Sequence, residues 1–286
     1  MTTVHGPVVG RRRLRSALRK HREKAQLTQE QVAHEMDWSL SKLIRIEAGV
    51  VSISTNDVKA LLQLYQISDP LEVSDLVEMA RIARRRTWWT PYKDNVPSPY
   101  ASYIGLEAET SALRYFYPIS IPGLLQTRSY ATAVVKAALA VRVDPEEVGT
   151  RVDIRMARQR EVLGRPDPPK VEVILDEGVL RRITGDRDVM REQLRHLAST
   201  GERGNVTIRV LPFTAGDSGV RGSFAILDFP DETDNSVVYV ESALGEDVID
   251  RPDEIKAYIG AYERLQELCL EPDASINEIK KIAGEL

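Results

Sequence analysis

One cysteine, Cys269, in 286 residues excludes an internal disulfide and leaves no room for the paired-cysteine spacing of a zinc ribbon. Long apolar runs are missing too. The best stretch, Tyr130 to Val141, carries Lys136 inside it and falls well short of the roughly 20 residues a membrane helix needs. Behind the opening Met1-Thr2-Thr3-Val4-His5-Gly6 come basic residues rather than an apolar h-region, so no secretory signal is expected and the chain reads as cytosolic. No glycine-rich loop has Walker or Rossmann spacing, and neither a cofactor site nor a metal site is read. What remains, 42% hydrophobic and 29% charged residues, is the composition of a folded globular protein long enough for two domains.

The net charge of −4 conceals an asymmetry. Residues 1–90 hold 15 Lys and Arg against 10 Asp and Glu, a surplus of +5, and the other 196 hold 24 against 33, a deficit of −9. Eight basic groups, Arg11, Arg12, Arg13, Arg15, Arg19, Lys20, Arg22 and Lys24, stand in the first 24 residues beside one acid, Glu23. A basic head on an acidic body fits a polyanion partner held at one end, although a solvated helix face would have the same composition.

From residue 11 to 86 the pattern is helix after helix. Leu14, Leu18 and Ala25 mark the inner face of a first helix, with its arginines outside. Thr28 is an N-cap with Gln31 as its capping-box partner, starting a helix Gln29 to Met36 that buries Val32, Ala33 and Met36. Asp37 is the turn residue, since Asp tolerates the left-handed conformation better than most side chains. Ser39 caps a third helix to about Glu47, with Leu43 and Ile46 inward and Ser41, Lys42 and Arg45 outward, and Gly49 stops it. Ser54 and Asp57 flank a fourth start, with Val58, Leu61, Leu62 and Tyr65 inward. A fifth helix opens at Asp69-Pro70 and runs to Arg81, Arg84, Arg85 and Arg86.

Two short helices joined by a tight turn are the geometry that enters a major groove. The string Leu27-Thr28-Gln29-Glu30-Gln31-Val32-Ala33, followed by Trp38-Ser39-Leu40-Ser41-Lys42-Leu43-Ile44-Arg45-Ile46-Glu47-Ala48-Gly49, resembles the lambda-repressor-like, or Xre-type, helix-turn-helix family over about residues 11–65. The resemblance implies that Gln29 holds a phosphate and that Ser39, Leu40, Ser41 and Arg45 face bases, with Lys42 beside them. Arg reads guanine edges, and Leu40 suits a thymine methyl. It also implies that Glu47 pairs an arginine of the first helix. Asp37 and Gln26 replace glycines usual in the family, and His21 stands where an apolar residue is usual, as a half-buried helix residue.

Residues 87–99, with Thr87-Trp88-Trp89-Thr90-Pro91-Tyr92 and Pro97-Ser98-Pro99, break the helical period and read as a linker between domains 1–86 and 100–286. Eight of the seventeen aromatics fall within 88–117, which suits either an aromatic-lined ligand pocket or the packing of one domain on the other. Beyond the linker, helices are expected from Gly105 to about Tyr117-Pro118, over Tyr130–Leu139 and from Pro145 to Leu163. Strands follow at Val171–Leu175, Val206–Leu211, Phe224–Phe229 and Val237–Glu241, with a helix around Met190, Leu194 and Leu197 and a closing helix Pro252 to Leu270 before a short-helical tail. The fold class is therefore a mainly α, five-helix, lambda-repressor-like domain followed by an α+β domain with a small sheet.

Tyr103-Ile104-Gly105-Leu106-Glu107-Ala108-Glu109, Ile121-Pro122-Gly123-Leu124-Leu125-Gln126-Thr127, Val210-Leu211-Pro212-Phe213 and Val238-Tyr239-Val240-Glu241 resemble the C-terminal domain of the WhiJ-type, antitoxin-like Xre regulators of actinobacteria. That resemblance implies a transcription factor acting with a small protein encoded beside it. Gly216-Asp217-Ser218-Gly219 looks like a serine-protease nucleophile string but reads as a flexible loop, Asp176 and Glu177 read as helix caps, and His196 reads as exposed. No catalytic constellation assembles, and an enzyme is not expected. The reading is a DNA-binding regulator on double-stranded DNA, a homodimer through residues after 100. An antitoxin-like protein that binds a small partner is the alternative, and a small-molecule sensor stands behind both. Asp231, Glu232 and Asp234 read as an exposed part of a partner surface on the acidic half.

Overall fold

The computed structural model describes residues 6–49, 51–95, 98–139, 144–231, 234–242 and 245–286. The chain falls into two compact units, Met1–Thr90 and Pro91–Leu286.

Among the described residues five helices build the first unit: α1 (Pro7–Lys24), α2 (Gln29–Glu35), α3 (Leu40–Glu47), α4 (Thr55–Leu64) and α5 (Pro70–Ile82). Their starts are written locally. Thr28, Ser39, Ser54 and Asp69 each accept a backbone N–H of the first turn, and Thr28 and Gln31 close a full capping box. The ends of α1, α2 and α4 share one device. Leu27 N–H reaches the Arg22 carbonyl, Trp38 N–H that of Ala33 and Ile67 N–H that of Leu62, with Gln26, Asp37 and Gln66 between them at φ of 57°, 52° and 59°. These are Schellman caps carried by residues other than glycine. Leu14, Leu18, Val32, Leu43, Ile46, Val58, Leu61 and Leu62 meet in one core.

Three details depart from the sequence expectation. α1 begins at Pro7, whose fixed φ suits a first helical position. α5 ends at Ile82, so Arg84, Arg85 and Arg86 lie beyond it. The arginines of α1 are not all outside: Arg22 is buried, Arg11 donates to the Ala83 carbonyl and Arg15 to the Ala48 carbonyl.

The second unit is a six-stranded mixed sheet with helices. Its elements are α6 (Ser98–Glu107), β1 (Ala112–Tyr117), α7 (Arg128–Ala138), α8 (Pro145–Leu163), β2 (Lys170–Asp176), α9 (Glu177–Arg181), α10 (Arg187–Gly201), β3 (Val206–Leu211), β4 (Ser223–Asp228), β5 (Val237–Ser242), β6 (Gly245–Ile249), α11 (Pro252–Leu268) and α12 (Pro272–Glu285). Strand order is β3-β2-β1-β4-β5-β6. β1, β2 and β3 run parallel, joined by helical crossovers, whereas β4, β5 and β6 form an antiparallel meander. The expected α+β class holds, and the helix expected to end at Tyr117 does not. Residues 112–117 are the strand at the centre of the sheet, with Tyr115, Phe116 and Tyr117 all buried because both faces are covered. β6 was not anticipated, and the tail is the 14-residue helix α12 rather than a short one.

Candidate nucleic-acid interface

The candidate surface is the outward stripe of α3. Leu43 and Ile46, 1% and 4% exposed, fix which side of this helix is core. Leu40, Ser41, Ile44 and Arg45 are exposed on the other side, at the spacing i, i+1, i+4, i+5 that makes one helical face. Leu40 and Ile44 are 37% and 43% exposed, large apolar groups that a free-standing surface helix has no structural need to show. Ile44 was not picked out from the sequence. Its signal was an apolar residue off the Leu43/Ile46 spacing on a segment otherwise polar outside.

The remaining candidates stand differently. Ser39 precedes the helix as its N-cap, and its Oγ accepts the Lys42 N–H at 3.2 Å. Lys42 is folded back, with Nζ 3.6 Å from the Trp38 ring centroid and 3.6 Å from Asp57 Oδ2. Gln29 opens α2 but turns inward, its Nε2 donating to Glu47 Oε2 at 2.8 Å. The structure thus brings Leu40, Ser41 and Arg45 together on one face, ties Ser39 and Lys42 beside it, and gives Gln29 a protein partner.

What holds α3 at its angle is a buried polar knot. Arg22 of α1 grips Glu47 at the end of α3 with both Nε and Nη2, at 2.6 and 3.0 Å, and its Nη1 donates to the Leu27 carbonyl. The side chains are 11% and 6% exposed. The hydrogen bond to Glu47 holds the Arg22 pKa above its ordinary value. Glu47 therefore pairs an arginine of the first helix, as the resemblance implied, and joins α1, α2 and α3 through one carboxylate. His21 is half-buried, as expected, with Nε2 3.1 Å from Glu72.

No comparable candidate emerges from the other motifs. Asp176 caps α9, and Glu177 accepts the Phe213 N–H and pairs Arg181. Asp217 accepts from Gly219 N–H and Arg221, which makes Gly216–Gly219 a self-bonded loop. His196 is half-buried rather than exposed, and that burial lowers its pKa. Asp231 and Asp234 are half-buried rather than exposed, because the turn folds on itself with Asp234 N–H on the Asp231 carbonyl; Glu232 lies outside the described residues. Among the described residues no three His, Cys, Asp or Glu side chains cluster as metal ligands, and no helix is long and apolar enough to cross a membrane.

Two family models match the chain. One, described as a helix-turn-helix domain, covers residues 13–76. The other, described as a domain of unknown function (DUF5753), covers residues 100–281. No curated protein and no solved structure matches. The helix-turn-helix match supports a DNA-binding regulator.

Proposed function

The chain belongs to the family defined by the domain of unknown function DUF5753, here following a helix-turn-helix domain, and from that premise we propose that it is a transcriptional regulator that reads an operator through α3. The observation that carries this is the exposed stripe Leu40, Ser41, Ile44 and Arg45 on a helix whose opposite side is locked into the core. Arg45 is the guanine reader and Ser41 a hydrogen-bonding neighbour, while Leu40 and Ile44 suit thymine methyls. Ser39 keeps its hydroxyl hydrogen for a phosphate or base while its oxygen caps the helix. Gln29 contributes chiefly by fixing Glu47.

The working form is a two-fold dimer held through the second unit. A single helix-turn-helix touches few base pairs, and two held one turn of duplex apart, about 34 Å, read a palindrome far more tightly. The resemblance to WhiJ-type regulators supports this order of parts. Selection of bound genomic fragments by the full chain, then sequencing, tests the reading. An enriched inverted repeat is expected. Enrichment no better than for random duplex at 150 mM salt would sink it.

A further inference from the structure

The charge that α3 carries is not all open to a duplex. Its three charged side chains are Lys42, Arg45 and Glu47. Arg22 takes Glu47. Lys42 and Arg45 stand at i and i+3, neighbours on the helix surface, which is where a lysine would meet a phosphate beside a base-reading arginine. Among the described residues Arg45 closes no ion pair, whereas the Lys42 ammonium is drawn off to the flank of the helix.

Two groups draw it there. Trp38, in the turn before α3, holds its ring centroid 3.6 Å from Nζ, and Asp57 Oδ2 stands at the same distance. Asp57 belongs to the first turn of α4, where its N–H is bonded to Ser54 Oγ at 3.0 Å and its negative charge suits the helix dipole. The anion is therefore fixed by its helix, while the cation rides on a flexible four-carbon stem. The Lys42 and Asp57 side chains are 41% and 33% exposed, so both remain within reach of a duplex laid on α3.

An ion pair this open contributes little to stability. Its consequence lies in binding. Each lysine that neutralises a phosphate releases counterions and tightens the complex with any sequence; a lysine already neutralised by the protein's own carboxylate does neither. Nor can Lys42 leave without cost, since its departure to a phosphate would set a bare Asp57 beside the same backbone, like charge facing like.

We propose that Asp57 is a positioning residue of the DNA-reading surface: it keeps Lys42 on the Trp38 ring in the bound state and so withholds that charge from the phosphates. The inference rests on the reading of DNA by α3 and adds to it a built-in limit on backbone affinity. If Asp57 were merely a first-turn acid, its loss would touch stability and not the salt dependence of binding.

The test is anisotropy titration of the full chain with labelled operator and scrambled duplexes from about 50 to 300 mM KCl. The scrambled duplex alone suffices for the slope, so the result does not wait on the operator. Asp57→Asn frees Lys42 and should tighten binding to both duplexes roughly fivefold at 150 mM KCl, with the slope of log K against log salt steeper by about one. Asp57→Glu should keep the parent slope. Lys42→Met should weaken binding, because it bares Asp57, and the double variant Lys42→Met/Asp57→Asn should return to within about twofold of the parent with the parent slope. Circular dichroism checks folding; should Asp57→Asn fail to fold, Asp57→Gln decides by the same slope. An unchanged slope in the folded Asp57 variant would overturn the inference, and so would a double variant whose slope is shallower than the parent's by about one, which would make Lys42 a phosphate anchor. A parent chain that binds neither duplex at 50 mM KCl would instead overturn the DNA reading itself, and this inference with it.

Discussion

Glu47→Ala removes one carboxylate and leaves two donors without their acceptor. Arg22 loses bonds of 2.6 and 3.0 Å, and Gln29 loses one of 2.8 Å. Breaking a buried ion pair by deleting one member typically costs about 3–5 kcal/mol, because the other charge stays buried. Arg22 keeps the Leu27 carbonyl and some access to water, which places this case at the lower end, about 3 kcal/mol. For a unit of this size each kcal/mol lowers the melting temperature by about 4–8 °C, so a fall of roughly 12–24 °C is expected. The full chain can be used, because Trp38, Trp88 and Trp89, its three tryptophans, all lie in the first unit and their fluorescence follows that unit in urea. The double variant Arg22→Met/Glu47→Leu removes both charges and should recover to within about 1 kcal/mol of the parent, since matched apolar replacement of a buried pair is often neutral. A loss below about 1 kcal/mol for Glu47→Ala, or a double variant as unstable as the single, would refute the claim that this pair holds α3 in place.

Arg45→Ala should cost about 1–3 kcal/mol on the selected operator and almost nothing on scrambled duplex; equal losses on both, measured against salt, would make Arg45 an anchor instead. Asp37→Gly should stabilise the first unit by about 1 kcal/mol in the same fluorescence titration, because glycine occupies the left-handed cap without strain. The pKa of Glu241 is raised above the ordinary 4.5, so the folded state holds a proton there that the unfolded chain releases. That stability is complete below pH 4.5 and is lost as pH rises through the raised value; Glu241→Gln should flatten this slope, and an unchanged slope would remove Glu241 as its source. Burial pushes the Cys269 thiol up to about 12, which leaves about a thousandfold less thiolate at pH 8 than the ordinary value of 9.0. Alkylation by iodoacetamide should accordingly be slow in the native chain and fast in urea, and fast native labelling would contradict the burial.

Local chemistry is legible in the sequence, and long-range pairing is legible only where the family resemblance supplies it, as for Glu47 and an arginine of the first helix. Thr28, Ser39, Ser54 and Asp69 bond within their own first turns, so four residues suffice to read each cap. Asp37 at its turn was legible for the same reason. A basic run makes Arg22 read as outward, and which arginine Glu47 takes is settled only by a contact 25 positions away. Tyr115-Phe116-Tyr117 was read as a helix end because a strand buried on both faces shows no alternation. β6 is an edge strand with Glu246 and Asp247 in it, a composition that does not read as a strand. On α3 the inward residues Leu43 and Ile46 fix the face, and the helical period from them puts the apolar Ile44 outward, where its type alone gives no such sign. Gln29 was assigned by family position, and its reach to Glu47 could be found only by bringing α2 and α3 together.

The central place of β1 has a consequence for synthesis. Its two neighbours arrive late: β2 begins at Lys170 and β4 at Ser223. Until residue 176 has left the ribosome, the strand Ala112–Tyr117 has neither edge paired, and until residue 228 has left it keeps one edge open. The antiparallel meander from Ser223 to Ile249 has no such wait, since its hairpins close within a few residues of being made. An unpaired strand of Tyr115, Phe116 and Tyr117 is a template for other chains. Truncated products ending between about 130 and 165 should therefore be the aggregating ones, dependent on a chaperone that covers β1, whereas fragments confined to the first unit carry no such strand.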